Sequence, residues 1–160
     1  MNEMEYCNEL IVRLEELLFH ELSGCAAWKV ELVGVDFIQS KSIEGKNPDE
    51  VIRNCIKEIE AAGLVEEMNY TIGGRGVKLE LTVKGCRHIL KEVKLKRDGV
   101  QPYICPITNM ILDQLIEKLG YVTTYLAEVH IDESKELCRT RSAIYEDEAK
   151  IGCVCNWNEE

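Results

Sequence analysis

The sequence predicts a single α+β domain in which antiparallel β-hairpins pack against helices. Two stretches, 66–84 and 122–145, alternate apolar and polar residues about short turns, the period-two pattern of half-buried strands. Elsewhere apolar residues recur at three- and four-residue steps, as on helices with one buried face. No repeat, linker or low-complexity run interrupts the 160 residues, a length that suits one core. Residues 1–65 read as a mainly helical part, 66–146 as a hairpin–helix–hairpin core, and 147–160 as an acidic tail containing cysteines.

The first helix carries Met4, Cys7, Ile11, Leu14 and Leu18, with Leu10 and Leu17 widening the stripe and Gly24 just beyond its end. That stripe suits either the core or a homodimer interface. Cys7 falls on it as a small apolar filler, and His20 stands where the helix dipole favours a cation. From Trp28 to Phe37 the pattern is apolar and rich in β-formers, ambiguous between strand and buried helix. Asn47-Pro48 opens a second helix, whose inner face is Val51, Ile52, Cys55, Ile56 and Ile59 and which Gly63 ends. Cys25, beside Gly24 and two alanines, reads as tight packing.

Met68, Tyr70 and Ile72, the turn Gly73-Gly74-Arg75-Gly76, and then Val77, Leu79, Leu81 and Val83 form a hairpin. The glycines lead into a strand, not into a helix N-terminus, so a phosphate cradle is not expected. A short helix over Ile89, Leu90 and Val93 stops at Asp98-Gly99. Its basic residues, Lys91, Lys94, Lys96 and Arg97 with Lys84 and Arg87 before it, read as a solvated face or as a dock for an anionic group. Pro106 starts another helix with Ile107, Ile111, Leu115 and Leu119 buried, and Gly120 caps it. In the next strand Val122, Thr124, Leu126, Glu128 and His130 share one face. The strand after it alternates Cys138, Thr140, Ser142 and Ile144 with Arg139 and Arg141.

A net charge of −10 argues against general nucleic-acid binding, because the phosphate backbone would be repelled. The acidic start lacks the basic and apolar regions of a signal peptide, and no apolar run approaches the ~20 residues of a membrane span. The expected location is the cytoplasm, where eight cysteines stay reduced unless metal or chemistry claims them.

Two groupings compete for those thiols. Cys105 at a helix start, where the dipole lowers a thiol pKa, joins Glu128 and His130 two apart on one strand face, with Cys138 nearly opposite His130 across the hairpin. Two thiolates, an imidazole and a carboxylate suit zinc. Alternatively Cys86 and His88, at the strand-to-helix corner, join Cys105 with Cys138 or with Cys153 and Cys155, for zinc or an iron–sulfur centre. Against both stands packing, since cysteine is among the most buried residue types.

The order from Gly73 to Tyr145 (glycine-turn hairpin, Val83-Lys84-Gly85-Cys86, helix, Cys105-Pro106 opening a second helix, then a strand pair with Cys138) resembles the 4-vinyl-reductase domain. That group includes archaeal hydrocarbon-binding proteins and the sensing domains of phenol-type regulators. The resemblance implies an apolar pocket for a hydrocarbon-like or aromatic ligand. It also implies zinc held by Cys105, Glu128 and Cys138, with His130 standing where the family has a thiolate. The expectation is a non-enzymatic binding or sensor module that signals through a partner protein or a homodimer. The alternatives are a hydrolase with Cys105 as nucleophile and His88 or His130 as base, or a redox or metal-handling thiol module.

Overall fold

The computed structural model describes residues 2–22, 33–100 and 104–152, and within them the period-two stretches become one four-stranded antiparallel sheet. β1 (Glu67–Gly73) and β2 (Lys78–Lys84) form the first hairpin, and β3 (Thr123–Asp132) and β4 (Leu137–Tyr145) the second. The order across the sheet is β1-β2-β4-β3, so the hairpins join through their second strands. Leu79, Leu81 and Val83 of β2 and Cys138, Thr140, Ser142 and Ile144 of β4 are buried on one face, while Glu80, Arg139 and Arg141 alternate with them on the other.

Five helices accompany the sheet among the described residues: α1 (Glu3–Leu22), α2 (Val35–Gln39), α3 (Pro48–Ala61), α4 (Ile89–Arg97) and α5 (Pro106–Leu119). α3 begins as its sequence requires. The Asn47 side chain accepts from the Glu50 N–H at 3.0 Å and Pro48 fills the first turn, where no amide partner is needed. Val51, Ile52, Cys55 and Ile59 of α3 are sealed against α5 and the inner face of the sheet, in one cluster with Leu79, Leu81, Ile111, Leu115 and Ile144. Gly120, at φ 68°, ends α5 in the left-handed conformation.

Two helices present faces that periodicity did not foresee. α1 buries Asn8, Val12 and Glu15 against α4 and leaves Cys7, Leu10, Leu14 and Leu17 exposed. α4 buries Lys91, Glu92 and Leu95, while Leu90 is exposed and Ile89 and Val93 are half-buried. In both cases ion pairing between the helices decides the inward face, as described below. The first half of the ambiguous stretch 28–37, together with Cys25, Cys153 and Cys155, lies outside the described residues, and Val35–Gln39 is helical.

Candidate functional site: a buried thiol cluster

Three cysteines reach the same side of the sheet. Cys138, buried on β4, pairs across to Val83 of β2 and Ile131 of β3. Cys86 follows the end of β2, held beside β4 by the Gly85 N–H donating to the Glu136 carbonyl at 3.1 Å. Gly85 is required there: its φ is 61°, and a Cβ would lie 2.3 Å from Glu66 Cγ. Cys105 precedes α5, and its Sγ accepts from Thr108 Oγ1 at 3.2 Å. Thr108 Oγ1 is in turn 2.9 Å from the hydroxyl of Thr140, two residues from Cys138 on the same face. The N-terminus of α5 is seated by Asn109 Nδ2 donating to the Val33 carbonyl at 3.0 Å and by Gly34 against Pro106.

Beside the thiols lies a buried ion-pair triad. Lys91 Nζ, fully buried, donates to Glu15 Oε2 of α1 at 2.7 Å and to the Ile104 carbonyl at 2.8 Å. It also lies 2.7 Å from Glu92 Oε1. Glu15 Oε1 accepts from the Ile104 N–H at 3.2 Å, so one lysine ties α1, α4 and the approach to Cys105 together. Glu92 Oε2 is buried with no hydrogen-bond partner among the described residues. Such an oxygen calls for a proton or a cation. Burial pushes the Glu92 carboxyl up to about 7 even though Lys91 pulls it down.

The thiols feel one another. Burial first, then Cys105, drives Cys86 up to about 12. Burial followed by Cys105, Glu92 and Cys86 drives Cys138 upward. Cys105 is raised as well, by burial and then by Glu92, against the expectation that the helix start would lower it. Desolvation outweighs the dipole where no water reaches the sulfur. Cys55, likewise buried, is pushed up to about 12. A pH dependence follows. Unfolded thiols release protons near their ordinary value of 9.0, whereas Cys55 and Cys86 hold theirs to about 12 in the fold. The folded state therefore binds more protons in that window, and stability intact below pH 9 is lost as pH rises through it. The urea midpoint should fall between pH 8.5 and pH 10.5 more steeply in the native sequence than in a Cys55→Ala/Cys86→Ala variant. Equal slopes would refute the assignment.

The expected partners Glu128 and His130 do not join the cluster. A β-bulge between Leu126 and Glu128 shifts the register of β3 on β4 by one residue. Without it His130 would stand opposite Cys138; with it Ile131 does, and His130 faces Arg139. Because side chains alternate, the extra residue turns Glu128 and His130 to the opposite face of the sheet. There Glu128 Oε1 accepts from Arg141 Nη1 at 2.8 Å, Glu128 Oε2 lies 2.8 Å from His130 Nε2, and Arg141 Nε donates to Glu80 at 2.8 Å. Burial raises the Glu128 carboxyl, but the bonds from Arg141 and His130 outweigh it and hold it below the usual range. His88 is half-buried at the start of α4. Its backbone N–H donates to Cys86 Sγ at 3.4 Å, and burial followed by Lys91 lowers its imidazole to about 4.

Glu92 and Lys91 escaped the sequence reading, although a signal was present. Leu95 is the buried apolar anchor of α4, and the positions three and four before it are Glu92 and Lys91. Among the described residues no three His, Cys, Asp or Glu side chains are gathered closely enough to hold a metal ion as they stand, and no helix is long and apolar enough to cross a membrane. A cleft of about 590 Å³ opens nearby, floored by Ile89, Leu90 and Val93 and rimmed by Lys94, Arg97 and Glu133. No protein-family model matches this chain, nor does any curated protein or solved structure. What the fold and the site define is a class: an α+β domain with three buried cysteines and a buried carboxylate in the same interior.

Proposed function

We propose that this chain is a non-enzymatic small-molecule-binding module whose inward cysteines serve as a structural metal centre, in keeping with the resemblance to the 4-vinyl-reductase domain. The observation that carries the proposal is the partnerless oxygen of Glu92 in the same interior as Cys86, Cys105 and Cys138. Three sulfurs and one carboxylate oxygen form a four-coordinate donor set suited to zinc. An iron–sulfur cluster, usually held by four thiolates, fits three less well. Glu128 and His130 stay out of this set. Binding requires the sulfurs and the carboxylate to close on the ion and the thiols to give up their protons, so uptake strengthens as pH rises. The bound ion supplies a cross-link between the end of β2, α4, the start of α5, and β4.

The cleft floored by Ile89, Leu90 and Val93 is the place for an apolar or aromatic ligand, and its volume lies within the range of small-molecule sites. A hydrolase built on Cys105 is less well supported, because a nucleophile needs a thiol ionised near neutral pH and burial moves this one the other way.

Elemental analysis after zinc reconstitution tests the centre. One zinc per chain is expected in the native protein, lost together with melting temperature in Cys105→Ser and Cys138→Ser and weakened in Glu92→Gln. Cys7→Ala, Cys55→Ala and Glu128→Gln should retain it. Full zinc content in both serine variants would end the proposal. For the cleft, native mass spectrometry of the purified protein should show an apolar adduct that Val93→Glu abolishes. An adduct that persists in the variant would place the ligand elsewhere.

A further inference from the structure

We infer that the ligand of the cleft floored by Ile89, Leu90 and Val93 is an amine, a protonated nitrogen on an apolar or aromatic body; this rests on the reading of that cleft as the small-molecule site. Asn8 of α1 lines the cleft and is only 3% exposed. Its Nδ2 donates to the Met4 carbonyl at 2.9 Å and to the Arg87 carbonyl at 3.4 Å, which fixes the orientation of the amide. Oδ1 is thereby turned from both carbonyls, and it is buried without a hydrogen-bond partner among the described residues. A buried acceptor in that state is unfavourable until a donor reaches it. The cleft that Asn8 lines is where such a donor can come from.

Charge on the rim selects the kind of donor. Its two cations are already engaged, Lys94 with Glu9 and Arg97 with Glu133 at 3.1 Å. Glu5 accepts from the Asn2 N–H at 2.8 Å. Glu136, exposed on the rim, has no ion pair among the described residues. Glu136 and Asn8 are fastened to one three-residue segment: the Gly85 N–H donates to the Glu136 carbonyl at 3.1 Å, and Arg87 supplies its carbonyl to Asn8. An acceptor in the floor and an uncompensated carboxylate on the rim thus flank the same apolar surface. A protonated amine answers both. An alcohol or phenol answers Asn8 alone, and a carboxylate or phosphate group is repelled and finds both rim cations taken. Half-buried Ile89 and Val93 and exposed Leu90 accommodate the apolar body. The net charge of −10 draws cations toward the protein at large.

Isothermal titration of the full chain with phenylethylamine, phenylethanol and phenylacetate at neutral pH compares three head groups on nearly one body. The amine should bind about fivefold more tightly than the alcohol, the scale of one exposed ion pair, and the carboxylate more weakly than either. Glu136→Gly should bring the amine down to the affinity of the alcohol without lowering the melting temperature, because Glu136 stands at φ 50°, where glycine is unstrained. Asn8→Leu should weaken amine and alcohol alike. Equal affinity for amine and alcohol, a preference for the carboxylate, an amine preference that survives Glu136→Gly, or unchanged affinity in Asn8→Leu would overturn the amine and leave the cleft as an apolar site. Binding of none of the three would overturn both. If Asn8→Leu fails to fold, the Glu136→Gly comparison decides.

Discussion

Replacing Lys91 with methionine is expected to lower the unfolding free energy by about 3–5 kcal/mol, the largest effect of any single change outside the apolar core. Methionine keeps the length of the side chain and removes its charge. Two carboxylates, Glu15 and Glu92, then share a waterless space without the cation that lies 2.7 Å from each. The Ile104 carbonyl loses its donor as well. The deficit should depend on pH in a defined direction. Burial already raises the Glu92 carboxyl, and Lys91 is what pulls it down, so without the lysine Glu92 takes up a proton more readily in the folded state and the variant should be less impaired at pH 5 than at pH 8. Urea unfolding at the two pH values measures this, and a loss below about 1 kcal/mol at pH 8 would mean that water reaches the triad. Replacing all three charges together, as Glu15→Leu/Lys91→Met/Glu92→Leu, should recover much of the stability, because the cost lies in an unbalanced buried charge and not in the absence of ion pairs.

Gly34→Ala should destabilise by about 2–4 kcal/mol, the sum of strain in the left-handed region and overpacking. The φ of Gly34 is 89°, and a Cβ would stand 2.7 Å from Pro106 Cβ and 3.1 Å from its Cα. Neither atom belongs to a flexible side-chain end, so the start of α5 has to move, and Cys105 precedes it directly. The variant is therefore expected to lose melting temperature and, at the proposed metal centre, zinc affinity with it. A melting temperature within about 1 °C of the native value would show that the turn and the helix slide apart freely.

The contrast between what could and could not be read in the chain is physical. α3 was legible because everything that shapes it is local: the Asn47 cap, Pro48 in the first turn, and a single apolar face. The first hairpin was legible for the same reason. Cys86, Cys105 and Cys138 could be nominated as a group, but their fourth neighbour could not. Lys91 and Glu92 look like any solvated pair on a basic helix until Glu15, 76 positions before Lys91, is brought against them. The face of α1 was hidden by the same contact, since periodicity reports that a helix has two faces and is silent on which is turned inward.

The single bulge near Ala127 had the widest consequence. Strand alternation runs on without a glycine or proline to mark a break, so Glu128 and His130 appeared to share a face with Leu126 and to meet Cys138. One unpaired residue reverses that, because facing in a strand has a period of two and any odd insertion inverts everything beyond it. The amino-acid order by itself determined the long helices and the two hairpins, and which cysteines fall on inward positions of β4 and at the start of α5, but it left 28–37 open between strand and helix, where Val35–Gln39 proves helical. Tertiary structure alone decided which carboxylate accompanies those thiols, which face of α1 meets water, and on which side of the sheet Glu128 and His130 stand. Those outcomes rest on long-range pairing and on desolvation, and neither is encoded within the few neighbouring residues that govern local conformation.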